Sequence, residues 1–275
     1  MYKILKKRNL TENVVEFVID APNITKRCLP GQFIILRVDK DGERVPLTIA
    51  GYDRTSGSIT ILVQSVGFST MKLAKLNEGD FVEDFAGPLG NPTDLSGFCN
   101  ILHVAGGIGS AVILPQVKYL RTNTSQKSDV ILGGRTASLL TYEKELGEYA
   151  DNLYIMTDDG SKGEKGFVTD MLKKLIDGGK KYDAVFAVGP MPMMRGVTRL
   201  TAEYGIHTII SMNALMVDGT GMCGCCRLTV GGVTKYACVD GPEFDGHKVD
   251  FEEAMNRAGF YKEKEKEHIC RLQNK

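Results

Sequence analysis

Between residues 100 and 211 the chain repeats one unit, an apolar run, a turn and then a helix-length segment. NILHVA, DVILGG, NLYIMT, YDAVFAVG and HTIIS are the apolar runs. The segments between them pass through Gln116 and Leu120, then cover 137–149, 168–176 and 192–204. Five strands alternating with four helices predict a parallel sheet with helices on both faces. Such a sheet binds ligands in the loops at the carboxyl ends of its strands. Pro115 and Pro192 are expected in first helical turns, where a missing N–H costs nothing.

The first 97 residues follow another period. Strands are expected over 14–20, 32–39, 45–51, 58–64 and 80–85. In 58–64, Ile59, Ile61 and Val63 alternate with Thr60, Leu62 and Gln64, as in a sheet with one core face. Pro30-Gly31, Asp41-Gly42 and Ser56-Gly57 supply turns. The expected architecture is β plus α/β: an antiparallel β-barrel over 1–97, an α/β domain over 98–211, a compact cysteine unit over 212–250, and a helix or tail over 251–275. In that last stretch Phe251, Met255 and Ala258 form an apolar stripe before a run of mixed charge, suited to a solvated face or to docking on a partner subunit.

The cysteine unit contains VDGTGMCGCCRLTVGGVTKYACVDGP, residues 217–242. Asp218, Cys223, Cys226 and Cys238 stand four, two and eleven residues apart. Four-then-two is the spacing of plant-type 2Fe-2S ligands, with aspartate where the first thiolate would be. An aspartate oxygen can ligate ferric iron, but it is harder than thiolate and moves the potential. Gly219, Gly221 and Gly224 let the backbone wrap closely around such a centre. Cys223, Cys226, Cys238 and His247 are also a conceivable zinc site, and Cys225 could replace one of the ligands. Seven cysteines, an odd number without a secretory leader, argue against a disulfide framework. Cys28, Cys99 and Cys270 read as reduced thiols.

The 34 basic residues balance 34 acidic ones, so no net field favours nucleic acid or an anionic membrane. The most apolar run, 101–115, is interrupted by His103 and several glycines and is too short to span a bilayer. A cytoplasmic location is expected.

AGGIGSA, residues 105–111, follows a strand and opens a helix. Gly106, Gly107 and Gly109 can bring backbone N–H groups to a pyrophosphate, although Val112 stands where a third fingerprint glycine would be. The alternative is a glycine turn that only reverses the chain. GPMPMM, with Gly189, Pro190 and Met191, adds a second loop on the same sheet edge. Asp158 and Asp159 suit ribose hydroxyls and repel a 2′-phosphate, favouring NAD over NADP. Asp159-Gly160 is alternatively a turn cap, and Arg135 on the same edge pulls the other way.

The order of these parts resembles flavin reductases of the ferredoxin-NADP reductase superfamily. Arg44, Pro46, Leu47 and Thr48 in RVPLTIAG resemble its flavin motif, which implies that Arg44 holds the flavin pyrophosphate and Thr48 approaches the isoalloxazine. VGFSTMK, with Gly67, Ser69 and Thr70, looks like its second flavin phosphate loop, and GGIG and GPMPMM look like its nicotinamide-nucleotide loops. With the cysteine unit added, the chain to about residue 260 is similar to the sulfide dehydrogenase and dihydroorotate dehydrogenase electron-transfer subunit family. TDDGSKGEKGFVTD and MVDGTGMCGCCRLTV look most like its branch in electron-bifurcating NADH-dependent ferredoxin:NADP oxidoreductases. The dihydroorotate branch carries four cysteines. The favoured branch uses one aspartate and three cysteines, which carries over to Asp218, Cys223, Cys226 and Cys238; Cys225 departs from its pattern.

The resemblance implies FAD between barrel and sheet domain, NAD(H) on the sheet, a 2Fe-2S cluster beside the flavin edge, and a heterodimer with a larger flavin and iron–sulfur subunit. Ferredoxin and NADP(H) would be reached through that subunit. Nicotinamide carries two electrons together and a 2Fe-2S centre one, so a flavin between them makes a converter. No side chain need act as acid or base, and His103, His207, His247 and His268 read as structural or surface residues. The rivals are a subunit of dihydroorotate dehydrogenase or of sulfide dehydrogenase and, in another class, a zinc-stabilised nucleotide-binding regulator.

Overall fold

The structure, a computed structural model, describes residues 1–259; Cys270 and His268 lie outside the described residues. The N-terminal sheet is antiparallel throughout. Its strands run in the spatial order Phe81–Val82, Tyr2–Asn9, Val14–Asp20, Ser58–Gln64, Arg44–Asp53, Phe33–Arg37 and Asp84–Leu89. The expected strand over 80–85 is two strands, one at each end of this nearly closed barrel. Tyr2–Asn9 carries four cations in eight residues, which masks the period of two; Ile4 is its one fully buried side chain.

Ile59, Ile61 and Val63 point into the barrel core with Phe17, Ile34, Leu36 and Ile49. The opposite face of that strand is not solvated as a single-core sheet would be: Leu62 joins Val14 and Ala50 in a second core shared with Val112, Leu132 and Phe186. The barrel and the α/β domain therefore fuse through apolar packing. A polar seam supports it, with Tyr142 donating to Glu16 Oε2 at 2.5 Å and Arg8 bridging Glu16 and Glu145.

The second sheet has the order Glu164–Lys165, Asn152–Thr157, Lys127–Gly134, Asn100–Gly106, Ala184–Val188, His207–Ser211 and Glu243–Asp245. All pairs are parallel except the last, which is antiparallel and comes from the cysteine unit. The helices are Ser110–Asn123, Glu143–Tyr149, Val168–Asp177 and Met191–Glu203. Pro115 lies inside Ser110–Asn123, past its first turn, so one helical hydrogen bond is forfeited there. The segment 137–149 is broken: a short 3₁₀ turn at Ala137–Leu139, then Tyr142 at φ 60°, precede the helix.

The cysteine unit adds a hairpin, Arg227–Val230 with Val233–Tyr236. Gly231 and Gly232 connect it with φ of 60° and 78°, the pair of positive values that a two-residue type I′ turn needs. Phe251–Ala258 packs Phe251 and Ala254 into the core shared with Cys226, Leu228 and Val197. Among the described residues no helix is long and apolar enough to cross a membrane.

Candidate functional site

A cleft of about 1100 Å³ opens between barrel and sheet. On the barrel side Pro46, Leu47 and Thr48 line it from Arg44–Asp53, and Thr70 reaches in from the helix Phe68–Ala74. The facing wall consists of strand ends: Gly106, Gly107 and Gly109, then Gly133 to Arg135, Asp158, and Gly189 with Pro190. They gather on one edge because the five strands run in one direction. A Cβ on Gly106 would lie 2.4 Å from Met193 Sδ, and one on Gly109 would lie 2.4 Å from the Val188 carbonyl oxygen. The two glycine loops are packed backbone to backbone, so a larger residue would push them apart.

Arg44, Gly67, Ser69, Asp159 and Met191 do not line this cleft. Ser69 is buried and donates to Glu43 Oε2 at 2.8 Å. Gly67 donates its N–H to Thr70 Oγ1 at 3.0 Å, which caps the helix. Asp159 accepts from Ser161 N and Oγ at 2.9 and 2.6 Å, so its carboxylate caps the turn, and those bonds hold it below the usual carboxylate range. Met191 instead lines a separate cavity of about 180 Å³ with Cys223, Cys225 and Arg257. Sequence reasoning missed Leu139, Phe167, Met193 and Asn213, which also line the cleft. Of these only Phe167 and Met193 stood in motifs it had quoted. His103 is fully buried, its Nδ1 2.9 Å from Ser128 Oγ, and burial pushes its pKa down to about 3. It stays neutral and structural.

The cysteine loop leans on the barrel. A Cβ on Gly219, at φ 84°, would sit 2.6 Å from Ile35 Cδ1 and 2.9 Å from Leu89 Cδ1. Cys226 and Cys238 are buried, with Cys226 Sγ 3.2 Å from Cys238 Sγ. Burial, then the Cys226 contact, pushes the Cys238 thiol up to about 12. Cys223 is exposed and shifted down, chiefly by the Cys225 backbone N–H, with the Asp218 and Val217 N–H groups assisting against a desolvation penalty. Asp218 is held low by the Thr220 hydroxyl, then by the Thr220 N–H at 3.0 Å, and last by the charge of Arg44. The exposed Arg44 thus stands beside the cysteine loop as well as at the start of the cleft-lining strand.

Among the described residues no three His, Cys, Asp or Glu side chains converge as one metal ion would require. The thiols form two neighbourhoods, Cys226 with Cys238 and Cys223 with Cys225, the Asp218 backbone lying beside Cys223. A 2Fe-2S centre takes two protein ligands on each iron, so a donor set in two halves fits it. His247 is elsewhere, its Nε2 3.0 Å from the Ile206 carbonyl oxygen, which separates it from a zinc set. Cys225 lies against Cys223, and that contact raises its thiol.

Residues 1–93 match the oxidoreductase FAD-binding domain, and residues 213–250 match the iron–sulfur cluster binding domain of dihydroorotate dehydrogenase B. The chain is 43% identical to a Thermotoga maritima homolog of the electron transfer subunit of dihydroorotate dehydrogenase B (NAD(+)), covering 96% of this chain and 93% of that one. The chain belongs to this electron transfer subunit family. A Clostridium beijerinckii relative, an uncharacterized protein in the adh 3′ region, is 52% identical over 96% of this chain and 92% of its own. Among solved structures, a chain of NADH-dependent reduced ferredoxin-NADP oxidoreductase, studied for flavin-based electron bifurcation, superposes with a TM-score of 0.94. It is 40% identical and covers 99% of this chain and 98% of that one. Family members of this kind are flavin-binding, iron–sulfur oxidoreductase subunits, and this chain has both domains. The match over 213–250 is to an iron–sulfur domain, which leaves the zinc-regulator reading without support.

Proposed function

We propose that this chain is the small, electron-transfer subunit of an NADH-dependent ferredoxin:NADP oxidoreductase, paired with a larger flavin and iron–sulfur subunit. The carrying observation is the contact of the cluster loop with the barrel at Gly219, Ile35 and Leu89, beside the strand that lines the cleft. It sets the two candidate redox sites on adjoining surfaces. When bound, FAD and the cluster supply the exchange between a two-electron hydride and single electrons.

The chain's own residues bind, orient and insulate. Arg44 provides a charge for a flavin phosphate, where a charge-assisted bond is the stronger kind. Thr48, Pro46 and Leu47 present a half-buried wall to a flat ring. Gly107, Gly109 and Gly189 offer close backbone approach to a dinucleotide, and Asp158 stands at the end of Asn152–Thr157, two strands from Asn100–Gly106, to meet ribose hydroxyls. Asp218, Cys223, Cys226 and Cys238 hold the cluster, with the Thr220, Cys225 and Gly221 backbones orienting carboxylate and thiolates. Asp218 in the first ligand position separates this reading from the dihydroorotate dehydrogenase subunit, where a fourth cysteine is the pattern.

Anaerobic copurification from the native source, followed by mass spectrometry and assays of iron, acid-labile sulfide and flavin, tests the proposal. A larger flavoprotein partner, iron and sulfide in equal amounts, and NADH-reducible flavin are expected. A dihydroorotate-oxidising partner would overturn the assignment. Zinc in place of iron, or a chain that takes up neither flavin nor iron on anaerobic reconstitution, would overturn the redox role itself.

A further inference from the structure

Among the described residues Tyr142 is the one non-glycine position at positive φ, at 60°. A bulky side chain in that conformation is strained and persists only where its surroundings impose it. Tyr142 is buried, and its hydroxyl donates to Glu16 Oε2 at 2.5 Å. Burial, then that bond, raises the phenol, so it stays a donor. Arg8 fixes the acceptor, bonding Glu16 Oε1 at 2.9 Å and Glu145 Oε1 at 3.0 Å. A bond to a carboxylate is worth about as much as the left-handed backbone costs. The arrangement therefore adds little net stability. What it adds is direction, which the apolar core around it does not supply, because hydrophobic contact is non-directional.

The residues just before Tyr142 reach two of the loops that form the nucleotide side of the cleft. Thr141 Oγ1 lies 2.6 Å from Ser110 Oγ, both hydroxyls buried, and Ser110 is the first residue of the helix that follows Gly109. Leu140 packs so closely on Gly134 that a Cβ there would sit 2.9 Å from Leu140 Cδ2. Leu139 lines the cleft itself, as do Gly109 and Gly134. On the barrel side, Glu16 stands two residues along the strand Val14–Asp20 from Val14, which lines the cleft. Alternation along a strand puts the two on one face. Residues 139–142 thus form a strap from both nucleotide loops to the barrel wall, and Tyr142 is its attachment to the barrel.

We infer that Tyr142 is a positioning residue that sets the gap between the glycine loops and the barrel wall, and with it the approach of nicotinamide to flavin. This deepens the proposal that the cleft takes NAD(H) and FAD, and rests on it. In the step it serves, a hydride leaves the dihydronicotinamide ring with both electrons of its C–H bond and bonds to the flavin ring, giving NAD⁺ and FADH⁻. Misplacement by about 1 Å can slow such a step on the order of 100-fold.

Tyr142→Phe keeps the ring and removes the bond to the barrel. In the purified complex, flavin bleaching at saturating NADH should slow by about 10- to 100-fold, with KM, flavin content and iron content close to wild type. The long-wavelength charge-transfer absorbance of stacked nicotinamide and flavin should weaken in parallel. Glu16→Leu should act likewise, and the double variant should be no slower than either single one, because both remove the same contact. Wild-type bleaching in Tyr142→Phe, a rise in KM alone, or rate losses that multiply in the double variant overturns the inference. Loss of flavin from Tyr142→Phe with wild-type bleaching of what remains also overturns it, assigning the tyrosine to folding alone. If NADH does not bleach the flavin of the wild-type complex, the proposed function fails, and the inference falls with it.

Discussion

The cleft and the cysteine loop are neighbours built on opposite plans. The cleft is assembled from ends of regular elements, with two glycine loops packed against each other in its wall. The cysteine loop has little regular structure between Met212 and Arg227, and its donors are side chains in two neighbourhoods. A scaffold of strands keeps its shape without a ligand, whereas an irregular loop gains its organisation from the metal it binds. The two sites should therefore fail independently.

The largest expected effect comes from the loop. Cys226→Ser should abolish the iron and sulfide content of the purified complex while NADH still bleaches the flavin, monitored by visible absorbance and metal analysis. Loss of NADH-dependent bleaching together with the iron would show that the two sites stand or fall together. In the same assay Asp218→Cys should keep a cluster but move its potential. Spectra and potential identical to wild type would assign the ligand role to Cys225.

The reciprocal change is Gly109→Ala. Its Cβ would meet the Val188 carbonyl at 2.4 Å, and backbone overpacking of this sort costs about 1 to 3 kcal/mol. Denaturant unfolding should show that loss, and flavin bleaching by NADH should slow while iron content stays at the wild-type level. Wild-type stability would mean that the glycine loops are not in close contact.

The smallest effect concerns the joint between the regions. Glu243, on the strand that the cysteine unit adds to the nucleotide sheet, accepts from Thr93 Oγ1 at 2.6 Å and Gln116 Nε2 at 3.1 Å. Burial, opposed by those two bonds, pushes its pKa from the ordinary 4.5 up to about 7. Between these values the folded chain binds a proton that the unfolded chain does not. The stabilisation is complete below about pH 4.5 and is lost as the pH rises through 7. Partial solvent access limits it to on the order of 2 kcal/mol. Unfolding midpoints of wild type and Glu243→Gln should diverge between pH 5 and about pH 8, with the glutamine variant flatter. Parallel curves would place an ionised carboxylate at the joint.

Much of the nucleotide sheet was readable from hydrophobic periodicity. Strands buried on both faces, such as NILHVA and DVILGG, stand out as continuous apolar runs. The barrel was readable where a strand alternates strictly, as in Ser58–Gln64, and was missed at Tyr2–Asn9, where surface lysines surround a single core isoleucine. The hairpin at 227–236 went unread although Gly231-Gly232 between alternating apolar residues signals it.

The sequence by itself determined the order of parts, the spacing of Asp218, Cys223, Cys226 and Cys238, and the glycine loops, because each is a local pattern of residue type and interval. Tertiary structure alone decided the rest. It gave Ser69 to Glu43, turned the outer face of Ser58–Gln64 into an interdomain core, and brought Gly219 onto Ile35. Those outcomes depend on which surfaces separate segments bury against each other, and residues as far apart in the chain as Ile35 and Gly219 carry no local mark of that meeting.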